Sequence, residues 1–268
     1  EDTPLTAAVK NGHTDIVRLL LEKAANVNKG VREVTPLTTV VKNNHTDIVR
    51  LLLENRADVN KGVRDTPLTA AEKNGRTDIE DTPLTAAVKN GHTDIVRLLL
   101  ENGVDVNKGV RDTLLTAALQ NDHTKIVRLH LENGADVNKR VPDTPLRAAV
   151  RNGNIDIVRL LLENGADINK GVSDSEFSGL VMNGNTDIVR LLLEYGADVN
   201  KEVGEDTPLS AAAKNGHTDL VRLLLKNGAD VNKGVQEDTP LSAAAKNGHT
   251  DLVRLLLQNG ADVNKGVQ

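Results

Sequence analysis

The stretch Asp2 to Glu22, DTPLTAAVKNGHTDIVRLLLE, returns without a change from Asp81 to Glu101, and most of the remaining chain is an edited copy of it. Taking Thr-Pro-Leu as the marker, copies start at Thr3, Thr35, Thr66, Thr82, Thr113, Thr144, Ser175, Thr207 and Thr239, at spacings of 31 or 32 residues with one of 16. Such a period describes a unit that cannot bury its apolar face alone and is stabilised by stacking on its neighbours. Composition agrees. The 268 residues hold one Phe, one Tyr, one Met and no Trp, so the apolar mass is Leu, Val, Ala and Ile, suited to thin layers rather than to one thick core.

Within a copy, Thr3 followed by Pro4 reads as a helix N-cap with Pro at the first helical position, where its missing N–H is not needed. The first helix is short and ends near Lys10. Its end is marked by Gly12, Asn44, Gly75, Gly91, Asp122, Gly153, Gly184, Gly216 and Gly248, residue types that tolerate a left-handed backbone. A second helix is expected to start at Thr14 and Asp15, a hydroxyl cap followed by a carboxylate at the positive end of the helix dipole. It continues through Ile16, Val17, Leu19, Leu20 and Leu21 with Arg18 outward. Most copies then stop at Asn-Gly, and Ala24 and Arg56 depart from that rule. The alternating remainder, with its turn residues, reads as an extended finger or hairpin.

TPLTAAVKNGHTDIVRLLLENGADVN resembles the ankyrin repeat, whose pattern is TPLHxAAxxGHxxIVxxLLxxGADVN. The resemblance covers essentially the whole chain. It implies an all-α solenoid of stacked helix-turn-helix units with protruding β-hairpin or finger loops, and a concave face lined by fingers and first helices. It further implies that His13, His45, His92, His123, His217 and His249 hydrogen-bond neighbouring backbone. The usual His after TPL is Thr here, at Thr6, Thr38, Thr69, Thr85 and Thr116, and the period is one or two residues short. One array spanning 1–268 is expected, with repeats starting near 2, 34, 65, 81, 112, 143, 174, 206 and 238.

Three places depart from the pattern. The repeat over 65–80 is incomplete: it reaches Ile79 and passes at Glu80 into the next copy, either because a segment after 79 is missing or because half a unit was deleted. The chain opens at a repeat boundary without Met and shows no polar capping repeat at either end, as in a fragment or processed product. Such ends are expected to continue or to expose apolar faces that favour end-to-end self-association. In the repeat from Asp174 to Val203, Phe177 takes a core Leu position, Gly179 replaces an Ala in apparent volume compensation, and Met182 takes the outward position of Lys10 and Lys42.

No enzyme is expected. His13 beside Asp15 pairs an acid with a base, but the motif recurs in copy after copy and its His is lost at Arg76, Asn154 and Asn185, as suits a structural turn. His130 replaces a core Leu without a second ligand in view. No metal site or cofactor is expected, and without Cys there are neither disulfides nor thiolate ligands. The lack of Cys fits a reducing, intracellular setting, cytoplasmic or nuclear, and a secreted effector is compatible too. No apolar run approaches the ~18 residues that span a bilayer.

The expected function is non-catalytic: a scaffold that binds a protein or peptide on its concave face. The alternative is a spacer or targeting segment of a larger channel, toxin or effector whose activity lies in flanking domains. Drifted copies between Thr113 and Tyr195 argue against a designed consensus array. Lys10, Lys42, Lys73, Lys89, Arg151, Lys214 and Lys246 share one first-helix position, readable as a solvated face near Asp2, Asp65, Asp81, Asp112 and Asp143 or as a groove for an acidic peptide. Nucleic acid is disfavoured by the lack of stacking aromatics. Arg18 with Glu22, Arg97 with Glu101 and Arg159 with Glu163 are i,i+4 neighbours worth tenths of a kcal/mol. The candidate partner-binding residues are Arg32, Glu33, Arg64, Arg111, Arg140 and Glu202 on the fingers, with Arg147, Arg151, Ser178, Met182 and Tyr195 on the helical units.

Overall fold

The described repeats are built of short helices, two to a repeat wherever both are described. The structure, a computed structural model, describes residues 2–30, 35–60, 83–104, 106, 115, 118–119, 121–139, 143–201, 206–234 and 239–265. They fall into two compact units, Glu1–Asp136 and Val137–Gln268. The first contains α1 (Pro4–Lys10), α2 (Thr14–Glu22), α3 (Pro36–Lys42), α4 (Thr46–Glu54), α5 (Pro83–Lys89), α6 (Thr93–Glu101) and α7 (Thr124–Glu132). The second contains α8 (Pro145–Asn152), α9 (Ile155–Glu163), α10 (Ile168–Gly171), α11 (Asp174–Met182), α12 (Thr186–Glu194), α13 (Pro208–Lys214), α14 (Thr218–Lys226), α15 (Pro240–Lys246) and α16 (Thr250–Gln258). No strand occurs among the described residues. The finger tips, and with them the expected hairpins, lie outside those residues, as do Ile79 and Glu80. Where the fingers are described they form turns.

Capping explains why helices this short hold. Thr3 accepts the N–H of Thr6 at 3.1 Å, and the two hydroxyls bond each other at 2.8 Å. The Thr that stands where the family has His therefore completes the cap, and Thr38 repeats this with Thr35 at 2.9 Å while only 4% exposed. The first helix then ends in a left-handed residue at all eight described turns, including Asn44 (φ 58°) and Asp122 (φ 59°).

The second helix begins differently from expectation. Thr14 is already helical and the cap position belongs to His13, whose side chain makes no capping bond. A helical residue's hydroxyl cannot reach forward to the free amides; that of Thr186 turns back instead to the Gly184 carbonyl at 3.2 Å. Where Ile155 replaces this Thr, Asn154 caps α9 through Ile157 N at 3.0 Å.

Layers stack helix on helix: α1 on α3 and α2 on α4 in the first unit, α13 on α15 and α14 on α16 in the second. The layers flanking the 16-residue irregularity meet directly, α3 against α5 and α4 against α6. Stacking buries Ile48, Val49, Leu52, Ile95, Val96 and Leu99 completely. Each such Leu or Ile contributes about 2 kcal/mol relative to exposure. The outermost described repeats lack that cover on one side, leaving Ile16 and Leu19 about half exposed, Leu257 at 40% and Val263 at 69%.

A second tie runs through the fingers. Asn200 donates to the Gly228 carbonyl at 3.1 Å and accepts from Asp230 N at 2.8 Å, and Asn232 does the same toward Gly260 and Asp262. Asn28 and Asn138 each clamp the repeat after their own in this way. In the sequence these asparagines read as turn residues of the finger. Their recurrence at one register, where any turn former would serve, is the signal that marks a shared partner.

Candidate functional site

The repeat carrying Phe177, Met182 and Tyr195 is built from a different cap. Read against Thr-Pro-Leu, Ser175 should start its first helix. The N-cap is instead Ser173, two residues earlier: Glu176 N donates to its hydroxyl at 3.3 Å, and Glu176 Oε2 accepts from Ser173 N at 2.9 Å and from Ser173 Oγ at 2.7 Å. Ser173-Asp174-Ser175-Glu176 is thus a complete capping box, and Asp174 and Glu176 place carboxylates in the first turn. Phe177 still reaches the core at 7% exposure. Gly179 does not make room for it, since a β-carbon there would touch nothing within 4 Å.

Glu176 also reaches the preceding repeat. Its Oε1 accepts from Arg147 Nε at 2.6 Å, while Arg147 Nη1 lies 3.5 Å from Asp143 and Arg151 Nη1 donates to Asp143 at 3.1 Å. Burial alone would raise the Glu176 carboxyl, but bonds from Arg147 and from Ser173 N–H and Oγ–H, with the Arg147 charge, bring it below its ordinary value. The bond to Glu176, then its charge, raise the Arg147 guanidinium. Two residues expected to greet a partner are therefore engaged within the chain, Arg147 closely and the more exposed Arg151 through one carboxylate.

The shared first-helix cations follow the same rule. Lys214 lies 3.6 Å from Asp206 and Lys10 lies 3.9 Å from Asp2, so these two cations, like Arg151, pair within their own repeats and read as a solvated face. Met182 breaks it. With no cation at that position, Asp174 pairs with the finger residue Lys201 at 2.6 Å instead. The Met182 side chain is 51% exposed, as its register predicts, and its carbonyl accepts from His217 Nε2 at 2.8 Å. That ring fits because Gly184 has no side chain: a β-carbon there would stand 2.9 Å from it. Ser178, partly exposed, lies one turn earlier on α11, whereas Tyr195 (43% exposed) caps the far end of α12. The site residues thus divide between opposite ends of the repeat.

A sequence profile of ankyrin repeats in three copies matches the chain at 1–63, 28–109, 63–141, 110–171 and 178–266. The chain belongs to the ankyrin repeat family. The crystal structure of the human ASB11 ankyrin repeat domain is similar to it at 25% identity and a TM-score of 0.61, over 85% of this chain and 99% of that one. No curated protein matches the sequence. Ankyrin repeats are generally protein–protein interaction modules without enzymatic activity.

Within this ankyrin array the histidines divide. His249 Nε2, like that of His217, donates to a carbonyl of the preceding layer, Lys214 O at 3.2 Å. His92 departs from the family expectation, for its Nε2 is buried without a partner. A β-carbon on Gly12 would stand 2.8 Å from the His45 ring, whereas the left-handed turn of the layer packed before His92's, at α3, carries Asn44 in place of Gly. None of the pairs Arg18 with Glu22, Arg97 with Glu101 and Arg159 with Glu163 is among the ion pairs of the described residues; Arg254 pairs i,i−3 with Asp251 at 3.7 Å. Those residues hold no cluster of three metal-ligating side chains and no helix long and apolar enough to cross a membrane. Arg32, Glu33, Arg64, Arg111, Arg140 and Glu202 lie outside the described residues.

Proposed function

We propose that this ankyrin array binds a protein segment along the face carrying its first helices, the concave face of the family, with Met182 as the apolar anchor. The observation that carries the reading is a half-exposed apolar side chain on a pinned main chain, at the register other copies give to Lys or Arg. Neighbouring copies place Arg151 and Lys214 at that register, each more than half exposed beside its own carboxylate, so the matching partner segment carries an apolar residue flanked by carboxylates that reach these cations. Ser178 borders the anchor. Arg147 acts through the Glu176 pair that fixes the layer, the finger residues Arg140 and Glu202 of the same unit extend the contact, and Arg32, Glu33, Arg64 and Arg111 serve partner binding by Glu1–Asp136. Tyr195, at the other end of its repeat, belongs to a separate contact.

The test is photo-crosslinking from position 178 in the full chain, with and without Met182→Lys. The substitution restores the residue of the other copies, so the fold should be unchanged by circular dichroism, while the crosslink disappears and affinity falls about tenfold or more. Undiminished binding by Met182→Lys defeats the proposal.

A further inference from the structure

The binding face leaves one buried titratable group unused. His130 occupies the seventh position of α7, where the other described second helices carry Leu20, Leu52, Leu99, Leu161, Leu192, Leu224 and Leu256. It is wholly buried. Its Nδ1 lies 2.8 Å from the Ile126 carbonyl, and its Nε2 has no partner. Because a carbonyl only accepts, Nδ1 carries the proton, and Nε2 turns a bare lone pair toward apolar packing.

A second proton on Nε2 would create a buried cation without counter-ion or acceptor. On α7 the charged side chains, Lys125, Arg128 and Glu132, are all exposed, and so are Asp94, Arg97 and Glu101 on α6, which packs against it. His123, at the start of α7, sits against Gly91, and the described first-helix residues of the same repeat are Leu115, Ala118 and Leu119. Burial pushes the His130 imidazole below its ordinary 6.5, with the Ile126 bond pulling the other way more weakly.

Its unit is also the less regular one. Ala24, Asn44, Arg56 and Asp122, the described non-glycine residues at positive φ, all belong to Glu1–Asp136, and so does the unpartnered His92. In Val137–Gln268 each described positive-φ residue is Gly.

We propose that His130 is an acid-sensitive latch: proton uptake at Nε2 opens α7 and the layers packed on it, while Val137–Gln268, which carries Met182, stays folded. The folded unit binds that proton less readily than the open one, so its stability is whole above the ordinary imidazole value and declines as pH falls below it.

Hydrogen exchange of the full chain, read by mass spectrometry at about pH 7.5 and about pH 5.5 with intrinsic rates corrected, tests this. Peptides from α4, α6 and α7 should lose up to about tenfold of their protection at the lower pH, the limit that one imidazole sets over this interval, and those from α12, α14 and α16 should keep theirs. His130→Leu installs the residue of the other copies, which secures folding, and should abolish the loss. The proposal is overturned by unchanged protection in the wild-type chain, by an equal loss in both units, or by a loss that persists in His130→Leu.

Discussion

Gly179 stands in the interior of α11 with open space where a side chain would be, so the helix bears the entropic cost of glycine without a packing return. Gly179→Ala should stabilise the chain by about 0.5–1 kcal/mol in denaturant unfolding; a loss would show that Phe177 needs the space after all. Glu176 is the opposite case, one carboxylate serving a cap and a bridge between layers. Glu176→Gln weakens both and should cost about 1 kcal/mol near neutral pH. Since the folded carboxyl lies below its ordinary 4.5, its contribution is present above that value and fades as pH falls through the folded one. The substitution should therefore flatten the acid limb of the stability curve, and a curve parallel to wild type would remove Glu176 from this role. At this scale the sequence was readable where chemistry is local. Ser-x-x-Glu spells the cap of α11, yet aligning Ser175 with the repeated Thr hid it, and the Arg147 partner stands 29 residues away on another layer.

Helix pairs and their left-handed turns were legible because Thr-Pro and the Gly, Asn or Asp stops act within four residues. The start of the second helix was misread because its cap position is held by a His whose ring serves the preceding layer rather than the helix. Inter-layer partners of this kind are set by stacking, which a single copy does not display. The Asn clamps give a direct measure of them. Asn200→Ala removes a donor to Gly228 and the acceptor of Asp230 N. It should cost about 1–2 kcal/mol and speed exchange of the Asp230 amide in NMR, while the amides inside α13 hold their protection. The α3–α5 seam can be repaired in the same terms. Asn44→Gly installs the residue that faces the His ring in other layers and should let His92 Nε2 find a carbonyl as His217 does, for a gain of about 1 kcal/mol. A bonded ring proton in the His92 NMR spectrum would report success; an unchanged ring environment would mean that the seam, not Asn44, holds the ring away.

Across the molecule, the repetition that made the fold plain also concealed the site, because a residue present in every copy describes the layer and only departures from it carry individual meaning. Met182 was visible as such a departure; the engagement of Arg147 and Arg151 was not, since their carboxylates appear only once layers face each other. Irregularity is unevenly distributed as well, and stacked repeats share stability mainly with nearest neighbours. Ala24 and Arg56 hold φ of 60° and 64° where most copies place Gly, each at a cost of about 1 kcal/mol. They close successive second helices, α2 and α4, which pack on each other without these two residues sharing a bond. Their repair should thus be nearly additive. Ala24→Gly with Arg56→Gly is expected to raise the stability of Glu1–Asp136 by about 2 kcal/mol, seen as slower exchange in peptides of α2, α4 and α6, with little change in α14 and α16. Equal slowing in both units would mean that the chain unfolds as one cooperative body, and no slowing would mean that the left-handed turns carry no strain.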